Sequence, residues 1–259
     1  MSILDQIIAD KERELVRRME TVSVAEIERR AALAPTPIDF LAALRARSVG
    51  LIAEVKRRSP SAGLIRTPFD PVEIALSYER GGAQALSVLI DGAYFGGGEE
   101  DFSAVRAAVR LPMLYKEFVV HPWQVAHARA IGASAVLLIV AALSEERLRE
   151  LHQHIVDLGM MPLIEVHGRE ELEIALDLNP RCIGVNNRNL KTFETRLETT
   201  YLLVESVPDE VCLISESGIA TPEDVLHLKE AGVRGVLVGE SLLRKPDVEK
   251  AARELMQRV

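Results

Sequence analysis

At 259 residues, with 48% apolar and 27% charged side chains, the chain has material for one α/β barrel or two ordinary domains. A formal net charge of −8 argues against grip on a nucleic-acid backbone, so an anionic substrate must be held by local cations. No stretch reads as a signal peptide, and the longest apolar run, AVLLIVAAL, is too short to cross a bilayer.

The predicted elements begin with helices. ILDQIIADKERELVRRM and SVAEIERRAAL carry apolar residues at helical spacing, and PTPIDFLAALRA adds a short helix after a proline-rich break. These precede the first strand without a flexible linker, so residues 1–47 are expected as a helical extension packed on the main fold as a lid or cap. Short apolar runs follow in order: LIAEV, ALSVLI, MLYKEF, AVLLIV, PLIEV, CIGVN, VCLIS and VLVG. Runs of this kind read as parallel strands buried on both faces. Between them PVEIALSYERGG, PWQVAHARAIGA, SEERLRELHQHIVDLG and TPEDVLHLKEAG read as amphipathic helices ending at glycine, with Ser144 and Thr221 as N-caps. YFGGGEED, after the second strand, reads as a flexible loop without nucleotide-binding spacing. Eight βα units in this length predict an α/β protein with one (β/α)8 TIM barrel and the N-terminal extension. An open doubly wound sheet shares the local pattern and is the alternative. Cys182 and Cys212, each at the start of a run, read as reduced core residues of a cytoplasmic protein, and a monomer is expected.

The strand ends carry the chemistry. Ionisable groups gathered where parallel strands stop cost stability and mark the face at which barrel enzymes bind substrate. Residues two apart on a strand share a face, so Glu54 and Lys56 point the same way. A nearby carboxylate keeps an ammonium charged. That suits Lys56, and Lys116 beside Glu117, to giving a proton or binding an anion rather than acting as an amine nucleophile. Glu165 is flanked by Ile164 and Val166. Burial raises a carboxylate's pKa and two lysines across the mouth lower it, so Glu165 reads as a base, ionised at neutral pH, with the burial effect mostly offset. Asn186 and Arg188 share a face and offer donors suited to a carboxylate. SESG and GES, after the seventh and eighth strands, put small residues at helix N-termini, the usual phosphate position in barrels, and an anion is expected between Gly218 and Gly239. No histidine or cysteine spacing suits a metal, and His152 and His154 read as solvated.

These segments together resemble the indole-3-glycerol phosphate synthases. The likeness rests on IAEVKRRSPS, KEF at Lys116, PLIEVH, GVNNRNL, SESGI and LVGESL, in that order and over nearly the whole chain. It implies closure of the indole ring of 1-(2-carboxyphenylamino)-1-deoxyribulose 5-phosphate with loss of carbon dioxide and water, without a cofactor or metal. By this resemblance Lys116 is the general acid at the substrate carbonyl, Glu165 the base, and Lys56 a second acid that also reaches the phosphate. Glu54 and Asn186 orient these groups, and Ser59 and Arg188 lie near the anthranilate carboxylate. Ser217, Gly218, Gly239 and Glu240 form the phosphate site, Glu240 through its backbone N–H with the side chain turned away. The apolar pocket around the ring falls to Pro60, Phe95, Phe118, Leu137, Ile139, Leu190 and Val238.

The residues alone do not say which lysine serves which step. They also leave open a Schiff-base aldolase, which borohydride trapping with a sugar phosphate would reveal. A non-catalytic partner subunit, the third reading, gives no reason to keep the polar strand ends.

Overall fold

The structure is a computed structural model describing residues 3–190 and 192–259. Among these, eight parallel strands close into a ring: β1 (Gly50–Val55), β2 (Ala85–Leu89), β3 (Met113–Lys116), β4 (Ala135–Ile139), β5 (Met161–Val166), β6 (Cys182–Asn186), β7 (Cys212–Glu216) and β8 (Gly235–Val238). Each pairs with its neighbours in sequence, and β1 closes the ring on β8 from Gly50↔Gly235 to Ala53↔Val238. The open doubly wound sheet is thereby excluded.

Strand periodicity sorts the side chains. Leu51, Ala53 and Val55 of β1 pack outward among the helices, while Ile52 joins Leu114, Leu137, Leu163, Ile214 and Leu237 inside the barrel. Two residues further along, the same inward rows carry Glu54, Lys116, Ile139, Glu165 and Glu216, all at the carboxyl end. Cys182 and Cys212 are register partners, free and buried in the inner core.

Three helices precede β1: α1 (Ile3–Thr21), α2 (Val24–Leu33) and α3 (Phe40–Arg45). They wrap the barrel from one end to the other. Ile3, Leu4 and Ile7 of α1 line the cavity at the carboxyl end. Phe40, Leu41 and Leu44 of α3 pack into the inner core with Cys182 and Cys212, at the opposite end of the strands. The remaining helices are α4 (Pro71–Arg80), α5 (Gly92–Phe95), α6 (Glu99–Ala108), α7 (Pro122–Ala130), α8 (Glu145–Asp157), α9 (Arg169–Leu176), α10 (Glu198–Leu203), α11 (Pro222–Glu230), α12 (Glu240–Leu243) and α13 (Val248–Leu255). α2 lies against α7, where Ile27 and Ala31 meet Trp123 and Ala126. Ser144 caps α8 by accepting the Arg147 N–H, and Thr221 caps α11 by accepting that of Asp224.

Three local expectations are corrected. YFGGGEED is not a loose loop: Asp91 accepts the N–H groups of Tyr94 and Phe95 to start α5, Gly96 ends it at φ +67°, and α6 begins at Glu99. The third strand stops at Lys116, because the Glu117 carboxylate accepts the Phe118 N–H and turns the chain. His152 and His154 are half-buried rather than fully solvated. Among the described residues no helix is long and apolar enough to cross a membrane.

Candidate active site

The strand ends enclose one cavity of about 400 Å³. Every residue expected at a site borders it. β1 and the loop after it supply Glu54, Lys56, Ser59 and Pro60, and α5 supplies Phe95. β3 and the turn beyond give Lys116 and Phe118, and Leu137, Ile139 and Glu165 come from β4 and β5. Asn186, Arg188 and Leu190 follow from β6 and its loop. Ser217, Gly218, Val238, Gly239 and Glu240 complete the ring from β7 and β8. Phe95 and Phe118 pack together with centroids 6.1 Å apart, forming an aromatic wall.

A charged lattice crosses the floor. Lys116 Nζ donates to Glu165 Oε2 at 3.1 Å and to Glu216 Oε2 at 2.7 Å, so a lysine of β3 spans to β5 and β7. Asn186 Nδ2 donates to Glu165 Oε1 at 3.1 Å, and Ser217 Oγ donates to Asn186 Oδ1 at 2.9 Å. Lys56 donates to Glu54. Arg188 donates to Ser61 Oγ at 2.6 Å and to Thr195 Oγ1 at 3.3 Å. Asn187 turns the other way, as alternation requires, and ties Ser215, Ser217 and Thr200 together.

The lattice sets the protonation states. Burial works against the charge on Lys116, yet the charges of Glu216, Glu165 and Glu54 prevail and raise its pKa above the ordinary range. Burial likewise pushes Glu165 up, but Lys116, His167 and Asn186 more than offset it and hold the carboxylate well below its usual value. The two expected lysines do not share this task, because Lys56 pairs with Glu54 instead. Glu54 is held down in the same way, with burial outweighed by Lys56, Lys116 and Arg188. Glu216 goes the other way, pushed up to about 7 by burial and by Glu165 and Glu54 despite Lys116. The site therefore sets the Lys116 ammonium against carboxylates whose proton affinities are driven apart, Glu165 and Glu54 downward and Glu216 upward.

One sequence expectation about partners fails. Glu117 is not the counter-ion of Lys116. It faces away and meets Lys11 of α1 at 2.9 Å, with Asp91 beside it at 3.1 Å from the same Nζ. The Glu240 carboxylate is taken by Arg244 at 2.8 Å and lies 3.8 Å from Arg188. Glu216 and Ser241 stand among the polar strand ends of the sequence without an assigned role, and Thr195, Arg244 and the α1 residues Ile3, Leu4 and Ile7 are not signalled there; all border the cavity. For Glu216 the signal was present: it stands two residues beyond inward Ile214 and next to Ser217. Among the described residues no group of three or more His, Cys, Asp or Glu is arranged to hold a metal ion.

A lysine clamped as an ammonium between two carboxylates is unsuited to forming an imine, which weakens the aldolase reading. The comparisons agree. The family model for indole-3-glycerol phosphate synthase matches residues 4–255. Proteins described as indole-3-glycerol phosphate synthase are 43% identical in Zymomonas mobilis subsp. pomaceae over 259 residues, with 98% of each chain covered. The identity is 45% in Rhodopirellula baltica, with 99% of each chain covered, and 46% in Dehalococcoides mccartyi strain CBDB1, with 98% of this chain and all of that one. Among solved structures, thiamine phosphate pyrophosphorylase from Pyrococcus furiosus superposes at a TM-score of 0.61 and 20% identity, over 81% of this chain and 95% of that one. KGPDC from Streptococcus mutans reaches 0.65 at 12% identity, over 82% and 97%; these two show the fold alone.

Proposed function

We infer how the site works from the premise that this chain belongs to the indole-3-glycerol phosphate synthase family. It is a carboxy-lyase of tryptophan biosynthesis that converts 1-(2-carboxyphenylamino)-1-deoxyribulose 5-phosphate to indole-3-glycerol phosphate, carbon dioxide and water. The observation that supports the residue roles best is the Lys116 ammonium held between Glu165 and Glu216 on the floor of a cavity walled by apolar side chains.

Ring closure joins the aromatic carbon that bears the carboxylate to the ketone carbon of the sugar. Lys116 gives its proton to the ketone oxygen as that bond forms; the developing alkoxide is more basic than a lysine amine, so the transfer runs downhill even from an ammonium stabilised by its neighbours. Loss of carbon dioxide then restores the aromatic system, and an apolar wall of Phe95, Phe118 and Leu137 favours loss of a buried charge. Dehydration follows. Glu165, ionised and facing the cavity, takes the proton from the new ring, and Lys56 protonates the departing hydroxyl. Glu54 holds Lys56, and Asn186 holds Glu165. Ser59 and Arg188 are assigned to the carboxylate. The backbone from Ser217 to Gly218 and from Gly239 to Glu240 is assigned to the phosphate, with Lys56 within reach.

The −8 charge and a cavity completed within one chain support the remaining readings: action as a monomer, in the cytoplasm, away from nucleic acid. Substrate turnover is followed by indole fluorescence and released carbon dioxide. Lys116→Ala should lower kcat by ~10²–10⁴-fold with KM little changed, and a loss under tenfold would overturn its role. Glu165→Gln should bind substrate and release carbon dioxide in a single turnover without forming indole product; normal turnover would remove Glu165 from the scheme.

A further inference from the structure

His167 has no task in that scheme, yet it stands directly behind the base. It lies two residues beyond Glu165, just past the end of β5, and its Nε2 is 3.3 Å from Glu165 Oε1, within ion-pair distance but not aligned as a hydrogen bond. Lys116 holds the other oxygen of that carboxylate. On its far side, His167 Nδ1 is 3.1 Å from Glu171 Oε2 in the first turn of α9, and the His167 main-chain N–H donates to the same oxygen at 2.8 Å. Each ring nitrogen thus faces a carboxylate. A neutral imidazole has one donor and one lone pair, and would set that lone pair against one of the two anions; the imidazolium instead carries a positive charge that both anions attract. Burial works against the charged ring, but Glu165 and Glu171 prevail and push its pKa up to about 10.

The position also separates two spaces. Glu165 lines the active-site cavity, whereas His167 and Glu171 line a second cavity of about 590 Å³, with Asn186 and Arg188 bordering both. We propose that His167 is a positioning residue for the base: anchored by Glu171 as an imidazolium, it sets a positive charge beside Glu165 Oε1, the oxygen that Asn186 holds, and keeps that carboxylate ionised. This inference rests on the assignment of Glu165 as base, and it supplies what the scheme lacks. Once Lys116 has given up its proton, its charge no longer holds Glu165 ionised. His167 does not react and keeps its charge, so Glu165 remains a carboxylate until dehydration calls on it. The other charged groups in range are Lys116, Glu216 and Glu54 from β3, β7 and β1, and Asp5, Arg188, Glu194 and Arg196 around the second cavity.

The test is the pH dependence of kcat for the unaltered enzyme, His167→Asn and His167→Gly, with Glu165→Gln measured alongside. A charged neighbour typically shifts a carboxylate by 1–3 units, so the acidic limb of His167→Asn should move up by about 1–3 pH units with KM little changed. Imidazole added to His167→Gly should enter through the second cavity and return the limb toward its original pH, which a purely structural role would not allow. If His167→Asn does not fold, His167→Gln gives the same reading. A limb that stays in place while Glu165→Gln is inactive overturns the role of His167 alone. Turnover by Glu165→Gln overturns the base assignment and this inference with it.

Discussion

Two glycines show how tightly the carboxylates of the cavity floor are placed. A Cβ on Gly184 of β6 would lie 2.2 Å from Glu216 Oε1, and one on Gly239 would lie 2.6 Å from Glu54 Oε1. The absent side chains are the space those carboxylates occupy. Gly184→Ala should push Glu216 off its 2.7 Å contact with Lys116. Overpacking of this kind costs about 1–3 kcal/mol, readable as a lower urea midpoint, and kcat should fall while KM holds. An unchanged kcat would show that Glu216 does not position Lys116. Charge linkage gives a second residue-scale prediction. His167 titrates at about 10 against an ordinary 6.5, so its stabilisation is complete below pH 6.5 and is lost as pH rises through 10. Glu54 and Glu165, both lowered, stabilise above the ordinary 4.5 and lose that contribution as pH falls. The Tm difference between the unaltered chain and His167→Asn should therefore shrink between about pH 6.5 and 10. A difference flat across that window would mean the ring is neutral in the folded state. Period-two spacing made the inward row legible, because Glu54 and Lys56 or Asn186 and Arg188 are two apart. It could not show which lysine meets which glutamate, since Lys116 and Glu216 are joined across the barrel rather than along a strand.

At the scale of elements, α1 is the least legible part of the site. Its pattern announces an amphipathic helix, and Lys11 looks like any residue of a polar face. In the structure Lys11 is 2% exposed and its Nζ meets Glu117 and Asp91. Asp91 also caps α5, which carries Phe95, and Glu117 sits between Lys116 and Phe118. One buried cation thus ties the helix that supplies Ile3, Leu4 and Ile7 to both halves of the aromatic wall. The partners are more than a hundred residues from Lys11 in the case of Glu117, so no local pattern carries the pairing. Lys11→Met leaves two acids buried without a counter-ion, and breaking such a pair typically costs about 3–5 kcal/mol. Part of that cost is avoidable. Burial already pushes Glu117 up to about 7, and without Lys11 it titrates higher still, so at acid pH it can take a proton instead. Denaturant unfolding should show the larger loss at pH 8 and a smaller one at pH 5.5, with KM raised throughout as the α1 wall loosens. Equal losses at both pH values would mean that packing, not charge, seats the helix.

For the whole molecule, eight apolar runs sufficed to read the ring, because strands covered on both faces have little choice but to be apolar. The path of residues 1–47 was not readable. A helix that covers a barrel and one that stands apart share the same amphipathic spacing, and only the partner surfaces differ. The structure puts α1 at the carboxyl end, α2 along α7, and α3 beneath the inner core, so the extension shares apolar packing with the barrel at each place. Folding of the extension and of the barrel should then be one event. The chain's single tryptophan can report this. Trp123 belongs to α7 of the barrel, is 2% exposed, packs with Leu15, Ile27 and Ala31 of the extension, and donates its indole N–H to Val22 O at 2.9 Å. Arg18 of α1 lies over the same ring at 4.7 Å. Undocking of the extension would wet the indole while most of the helix and strand content survived. Equilibrium urea unfolding is accordingly expected to give the same midpoint by tryptophan fluorescence and by far-UV circular dichroism. A fluorescence transition that precedes the dichroism would instead make residues 1–47 a separately melting unit, clasped to the barrel by Lys11 and the Trp123 cluster rather than folded with it.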